Sequence, residues 1–573
     1  MTERGHRHVR RALIATTVVA AVTTGAAYTF GPGAQAEQAG KTEQAGRTER
    51  TGNETATGRS ARTGTSGSSG ASGTSGASGT AGSGASSRAA EAVTCTTSAR
   101  YRKRQLRGVW IATVHNLDWP SRAGLSAAQQ QAQYVKILDN AVKRRFNAVF
   151  VQVRPASDAL YRSSLEPWSE VLTGTAGKDP GWDPLPFLVD EAHKRGLEFH
   201  AWFNPFRAGL STDLSRLPAS HPARIHPDWV VKHEGGLYYN PGLPQVRDWV
   251  TRVVTDVVQR YDVDGVHFDD YFYPYPGQGT RFADQAAFKK YGKGAKLADW
   301  RRDNVNRLVA QVSAAVHTAK PYVKFGISPF GIWRNKAEDP AGSNTKGMSA
   351  YDQIYADAKA WIKARSVDYL IPQLYWPRGF AVADYDTLVP WWANAVKGSG
   401  VDLYIGQALY RVGTRDTAAW TKAAEMPSHL LVNQKYPEVS GDVYFSASQL
   451  VQNPLTVLDR LVTQHYSKPA LLPLLPLLKD RGFDTKAPAA PRGVRNAGGT
   501  LQWQAQPDAR AYAVYRVDGR AGDCSLADAR NLVAVVPGSA APSYVTKDPG
   551  TYYVTALDRL NNESAPTPGV PGV

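Results

Sequence analysis

From Arg107 onward the apolar residues change period repeatedly: short β-branched and aromatic runs alternate with longer amphipathic stretches, and the cycle repeats eight times. The strand-like runs are RGVWIATV (107–114), NAVFVQVRP (147–155), LEFHAWFNP (197–205), VDGVHFDD (263–270), VKFGISPF (323–330), VDYLIPQLYW (367–376), VDLYIGQALY (401–410) and GDVYFSAS (441–448). Helical segments such as LSAAQQQAQYVKILDNAVKRR and LPQVRDWVTRVVTDVVQRY separate them, and PLTVLDRLVTQHY closes the series. Parallel strands need a crossover between them, so eight such units predict a TIM (β/α)8 barrel whose active site lies at the C-terminal strand ends. The competing α/β architecture, an open doubly wound sheet, would more often carry a Gly-rich phosphate loop after an early strand, and the sequence has none.

The two ends differ from this middle. MTERGHRHVRRALIATTVVAAVTTGAA joins a basic head to a short apolar run, and Ala34-Gln35-Ala36 offers small residues at the spacing a signal peptidase prefers. Thr interrupts the run, which is short for a bilayer span, so a cleaved signal over 1–36 is favoured over an uncleaved anchor. No other segment is apolar and long enough to cross a membrane, and the mature chain is expected outside the cytoplasm. Residues 37–96, mostly Gly, Ser, Thr and Ala, bury too little apolar surface to offset chain entropy and read as a disordered linker.

The barrel is expected over 97–486. Beyond it GTLQWQAQ, AYAVYRVDG, NLVAVVPG and PSYVTKDPGTYYVTALD predict an all-β sandwich of fibronectin type III-like kind over 487–573, with Trp503 and Tyr553 as core anchors. KPALLPLLPLL (468–478) is expected to pack at the barrel's last helix. The two cysteines, Cys95 and Cys524, either form a disulfide that locks the folded units together or remain free thiols. A formal charge of +17 suits anionic surroundings such as a cell wall or acidic polysaccharide. Nucleic acid is disfavoured because the basic residues are dispersed, and solubility alone is a sufficient cause of the charge.

Alternation along each strand sorts side chains into helix-facing and barrel-facing sets. In GVHFDD, Val266 and Phe268 face the helices and His267 and Asp269 face the axis, which places Asp269 at the mouth and Asp270 at the start of the loop. The same reading turns Gln152 and Arg154, then His200, Trp202 and Asn204, inward; Gln373 ends the sixth strand and Gln407 lies in the seventh. A purely structural barrel interior would favour Val, Ile and Leu.

Hydrolysis of a glycosidic bond needs one carboxyl to protonate the leaving oxygen and a second group to stabilise or attack the sugar cation. Asp269 is the candidate for the first, against a structural ion pair with Arg154. Asp270 either raises its neighbour's pKa or caps the loop. The loop after the second strand offers Asp158, Glu166 and Glu170, and the Pro-Trp that follows Glu166 is a rigid apolar setting expected to raise its pKa. Trp202, Tyr271, Phe272, Tyr273, Tyr275, Trp333, Tyr375 and Trp376 fall at or beyond strand ends, where rings can stack on pyranose faces or serve as ordinary core. Metal chemistry is the rival: His115, His200, His267, Asp269 and Asp270 are possible ligands, but these histidines stand in no HxH or HExxH spacing, they lie on different strands, and no cofactor is implied.

Several of these segments, among them FVQVRPASDALYRSSLEPWSEVLTG, DPLPFLVDEAHKRGLEFHAWFNPFR, DGVHFDDYFYPYP, KFGISPFGIWR and IPQLYWP, strongly resemble the bacterial envelope family called glycosyl-hydrolase-like family ten, in order from about Arg104 to Leu475. The resemblance implies a TIM barrel similar to glycoside hydrolases and, from a characterised branch, a substrate of peptidoglycan glycan strands stripped of stem peptides. DGVHFDDY is also similar to the fourth-strand motif of chitinase-like enzymes, but His267 replaces one acid and Tyr271 stands where the acid glutamate would be. The expectation is therefore an exported glycoside hydrolase with Asp269 as principal carboxylate, Asp270 or Glu166 as partner, and Arg154, Asp158, His200, Trp202, Asn204, Arg207, Tyr271, Trp333, Gln373, Tyr375 and Trp376 around the sugar. A cell-wall glycan-binding protein without catalysis is the alternative.

Overall fold

The structure, a computed structural model, describes Cys95 and residues 101–277, 279–482, 486–522 and 524–572. The expected signal and nearly all of the linker lie outside the described residues. Strands β1 (Leu106–Ile111), β2 (Ala148–Arg154) and β3 (Glu198–Phe203) are followed by an insert of three short antiparallel strands, β4 (Arg207–Gly209), β5 (Val230–His233) and β6 (Gly236–Tyr239). The series resumes with β7 (Gly265–Phe268), β8 (Lys324–Ile327), β9 (Tyr369–Leu370), β10 (Asp402–Gln407) and β11 (Val439–Tyr444). Setting the insert aside, the strands pair in parallel in chain order, and β11 returns to β1 in the register Leu106↔Gly441, which closes the barrel.

The helices form where the sequence carries an apolar stripe and a start signal. In Ala127–Lys143, Ser126 and Gln129 make a reciprocal capping box, and Tyr134, Ile137, Leu138 and Ala141 bury one face at i, i+3, i+4 and i+7. Pro184 and Pro244 open two further helices at positions where the missing N–H costs nothing.

The strands bury both faces. Val109, Val151, Phe199, Val266 and Ile327 join the layer between sheet and helices, whereas Trp110, Phe150, Trp202, Tyr369, Tyr404 and Phe445 fill the interior. Rings this large need room. A Cβ on Gly265 would stand 2.2 Å from His200 Nδ1, and one on Gly326 would stand 2.1 Å from the Tyr369 ring. Among the described residues, no helix is long and apolar enough to cross a membrane.

Beyond the barrel, β12 (Arg492–Ala497), β13 (Thr500–Gln504), β14 (Ala511–Val517), β15 (Leu532–Pro537), β16 (Ser543–Val545), β17 (Thr551–Leu557) and β18 (Val570–Pro571) form two antiparallel sheets, β12-β13-β16 and β15-β14-β17-β18. Leu501, Trp503, Tyr512, Val514 and Val554 pack between them. Tyr553 belongs to the opposite face, in a cluster with Tyr515 and Leu471, because its neighbours along β17 take the inner side. The 468–478 segment likewise departs from expectation: Leu471 pairs with Arg104 and enters that cluster, so this stretch lines the junction between barrel and C-terminal sheets.

The junction lies at the N-terminal strand ends, opposite the mouth. Arg510 makes a 2.6 Å ion pair with Asp264, just before β7, and Arg559 reaches Asp262 at 2.5 Å. Burial alone would raise the Asp264 carboxyl, but Arg510, His193 and Arg559 outweigh it and hold it below the usual range. Cys95 and Cys524 form a disulfide, with Cα atoms 5.4 Å apart, so Cys95, ahead of β1, is fixed to the loop between β14 and β15.

Candidate active site

Asp269 and Asp270 follow β7 directly at the barrel mouth, and both are buried, at 5 % and 2 % exposure. Each carboxylate has its own set of donors. Asp269 Oδ2 accepts hydrogen bonds from Trp202 Nε1 at 3.0 Å and from Asn204 Nδ2, and Oδ1 accepts the Tyr271 backbone N–H at 3.1 Å. Asp270 Oδ1 accepts from Gln373 Nε2 at 2.9 Å, and Oδ2 accepts from the Tyr275 hydroxyl. Asp269, Trp202 and Asn204 thus meet as their strand alternation implies, Asp270 lies beside them at the start of the loop, and Gln373 reaches Asp270 from the loop after β9.

The Asn204 amide is held in one orientation from behind. Gln152 Oε1 accepts the backbone N–H groups of Thr113 and Val114, both at 2.9 Å. That leaves the Gln152 amide N–H to donate to Asn204 Oδ1 at 2.6 Å, which turns the Asn204 NH2 toward Asp269. Inward Gln152 is therefore a positioning residue, working through Asn204 on the carboxylate.

Burial, then the negative charge of Asp270, pushes the Asp269 carboxyl up to about 7, while Arg207 and the hydrogen bonds pull the other way. Asp270 is also raised by burial, against the donors Tyr275 and Gln373, which favour its anion. Elevation alone does not mark a site, since Asp402, at the opposite end of β10, is likewise raised to about 7 by burial. What distinguishes Asp269 is elevation at the mouth beside a second carboxylate. Such a group is poised to give up and take back a proton near neutral pH.

Asn204→Ala removes a donor that stabilises the Asp269 anion, so the carboxyl should rise further. The alkaline limb of the pH–rate profile is expected to move up by about half a unit or more; an unmoved limb with an ordinary loss of rate would reject the positioning role.

Other expected residues take different places. Glu166 is corrected: it forms a fully buried 2.5 Å ion pair with Arg154, and accepts hydrogen bonds from Ser157 Oγ at 2.8 Å and Trp249 Nε1 at 3.3 Å. Burial opposes ionisation there, but Arg154 and Ser157 prevail and keep the Glu166 carboxyl below its ordinary value, the reverse of the expected rise. Arg154 in turn donates to the carbonyls of Asn204 and Pro205 and is sealed from solvent, so it braces the backbone behind the mouth instead of reaching sugar. His200 is also corrected. It is wholly buried, stacks on Phe150 at 4.4 Å and meets the Tyr369 hydroxyl at 2.9 Å, as part of the barrel filling.

Asp158 bends back to accept the Ala156 N–H at 2.8 Å, with burial raising its carboxyl to about 6. Trp333 and Trp376 are buried in the outer layer, at 6 % and 8 % exposure, where Trp333 stacks on Trp391 and donates to Asp357, and Trp376 meets the edge of Phe330. They offer little ring face. Tyr375 is half-buried and packs against Tyr410 and Phe445, which follow β10 and β11 and were not singled out from the sequence, although aromatics at strand ends were the available signal. Arg207, on β4, lies with its guanidinium 4.4 Å from the Tyr271 ring centre. The inward histidines are spoken for: His267 Nε2 accepts from Trp110 Nε1 at 3.1 Å, and burial with His200 nearby lowers its pKa well below the ordinary value.

Residues 105–422 match the family model described as Glycosyl hydrolase-like 10. The chain is 47 % identical over 478 residues to "Glycosyl hydrolase YngK" of Bacillus subtilis (strain 168), covering 80 % of this chain and 92 % of that one. It is 42 % identical over 368 residues to "Glycosyl hydrolase DigH" of Escherichia coli (strain K12), covering 60 % and 83 %. A solved structure of the PgaB (BpsB) glycoside hydrolase domain from Bordetella bronchiseptica aligns with 63 % of this chain and 98 % of that chain, at 12 % identity and a TM-score of 0.43. With the family model spanning more than half of its length and a relative of nearly one-half identity aligned almost end to end, this chain belongs to the glycosyl hydrolase-like 10 family.

Proposed function

We propose that the protein is an exported hydrolase of O-glycosidic bonds in the glycan strands of peptidoglycan or a related amino-sugar polymer. The observation that carries this reading is the pair of adjacent, buried, separately hydrogen-bonded carboxylates at the barrel mouth, with Asp269 raised to about 7. The relatives' names, both glycosyl hydrolases, support it.

Protonated Asp269 gives its proton to the glycosidic oxygen as the bond to the anomeric carbon breaks. Asp270, whose anion the hydrogen bonds from Tyr275 and Gln373 favour, faces the developing positive charge, either stabilising it or bonding to it. Water supplies hydroxide to the anomeric carbon, and its remaining proton restores Asp269. Trp202 and Asn204 hold Asp269 throughout, and the half-buried Tyr375 and Tyr410 provide ring surface for a pyranose. The apolar N-terminal run and small-residue site support export, and the C-terminal sheets are read as a fibronectin type III-like unit that rigidly caps the barrel.

The test is mass spectrometry of purified, peptide-free glycan strands after incubation with the protein. Shorter strands with new reducing ends are expected. Strands that bind but stay intact would replace the enzyme reading with the non-catalytic one.

A further inference from the structure

Arg207 is 4 % exposed, yet among the described residues its guanidinium makes no ion pair and no hydrogen bond. None of its nitrogens is among the atoms sealed from solvent without a partner, so a bound ligand can reach them. Asp269 and Asp270 both feel its charge, but Asp269 is engaged by Trp202, Asn204 and Tyr271, and Asp270 by Gln373 and Tyr275. The Tyr271 ring, with its centre 4.4 Å from the guanidinium carbon, offers a π face but no hydrogen-bond partner to those nitrogens. The guanidinium's in-plane N–H groups remain, and their fork matches a carboxylate in two-point fashion.

Arg207 is also placed by structure instead of by chance. It begins β4, paired with Tyr238 on β6, and the Phe206 carbonyl accepts the Tyr239 N–H at 2.8 Å, so the insert carries the side chain over the mouth on a hydrogen-bonded ladder. We propose that Arg207 binds a free carboxylate on a sugar next to the scissile bond, making the enzyme selective for carboxyl-bearing amino-sugar strands over strands whose carboxyls are blocked or absent. A carboxylate fits better than a phosphate, because a second negative charge would be repelled by Asp269 and Asp270 a short distance away. This inference rests on the glycan-hydrolase reading above and adds the group that is recognised.

The experiment compares kcat/KM on peptide-free strands with that on the same strands after chemical reduction of their carboxyls to alcohols. Wild-type protein should prefer the native strands by about tenfold or more, and Arg207→Gln should bring that ratio close to one, mainly through KM. Arg207 also lowers the pKa of Asp269, so the variant is expected to slow on both substrates; the ratio isolates recognition from that effect. An equal fall on both, or a wild-type enzyme indifferent to reduction, overturns the inference while leaving the hydrolase reading intact. Failure of wild-type protein to cleave either strand overturns the hydrolase reading itself. If Arg207→Gln does not fold, Arg207→Lys replaces it: a reduced ratio supports recognition by the fork, and an unchanged ratio rejects it.

Discussion

Asp269→Asn is expected to slow glycan cleavage by about a thousandfold and at the same time to raise the melting temperature at pH 8. The first effect follows from removing the proton donor, a contribution of roughly 10²–10⁴ in many enzymes. The second follows from linkage. The folded carboxyl is raised to about 7 from the ordinary aspartate value of 3.8, so the folded state binds the proton more tightly than the unfolded chain. Stability from that proton is fully present below about pH 4 and is lost as pH rises through 7. An amide keeps an acceptor for Trp202 and Asn204 without carrying charge. Melts of both proteins at pH 4.5 and pH 8 should show a gap favouring the variant that widens with pH, toward an upper limit of about 4 kcal/mol. A gap that narrows would mean Asp269 is not held in a charge-averse setting, and the assignment of the acid would fall with it.

Glu166→Ala should have the opposite signature. Arg154 is wholly buried, and its salt partner is Glu166. Removing the carboxylate leaves the guanidinium without its counter-charge, at a cost of about 3–5 kcal/mol, read as a lower denaturant midpoint. The double substitution Arg154→Met with Glu166→Leu should cost less than the single one, since no charge is stranded. The folded fraction of Glu166→Ala is expected to keep the wild-type pH dependence of cleavage. A loss of the acidic or alkaline limb would restore Glu166 to the chemistry.

The barrel was legible in the sequence because each of its strands announces itself by period. RGVWIATV covers all of β1 but Leu106, NAVFVQVRP contains β2, and even the two-residue β9 sits inside the longer apolar run 367–376. The insert was not legible. Its strands are three or four residues long, too short for alternation to show, and Pro, Gly and His break the spaces between them. At the site, strand alternation correctly turned Asp269, Trp202 and Asn204 toward one another. It could not tell the depth of a side chain along the axis, which is why His200, two residues before Trp202 on the same face, was placed among sugar ligands although it lies in the filled interior. Glu166 failed for a different reason: its apolar neighbours Pro167 and Trp168 were visible, whereas the arginine that neutralises it comes from β2, twelve residues earlier.

The Cys95–Cys524 bond sets how the molecule carries mechanical load. It spans a sequence separation of 429 residues and fastens Cys95 to the C-terminal sheets beneath the barrel, with β1 entered only afterwards. Tension arriving through the preceding residues is therefore borne by that covalent strut and the Arg510–Asp264 seam, not by the first barrel strand. The mouth, at the opposite ends of the strands, lies outside that load path.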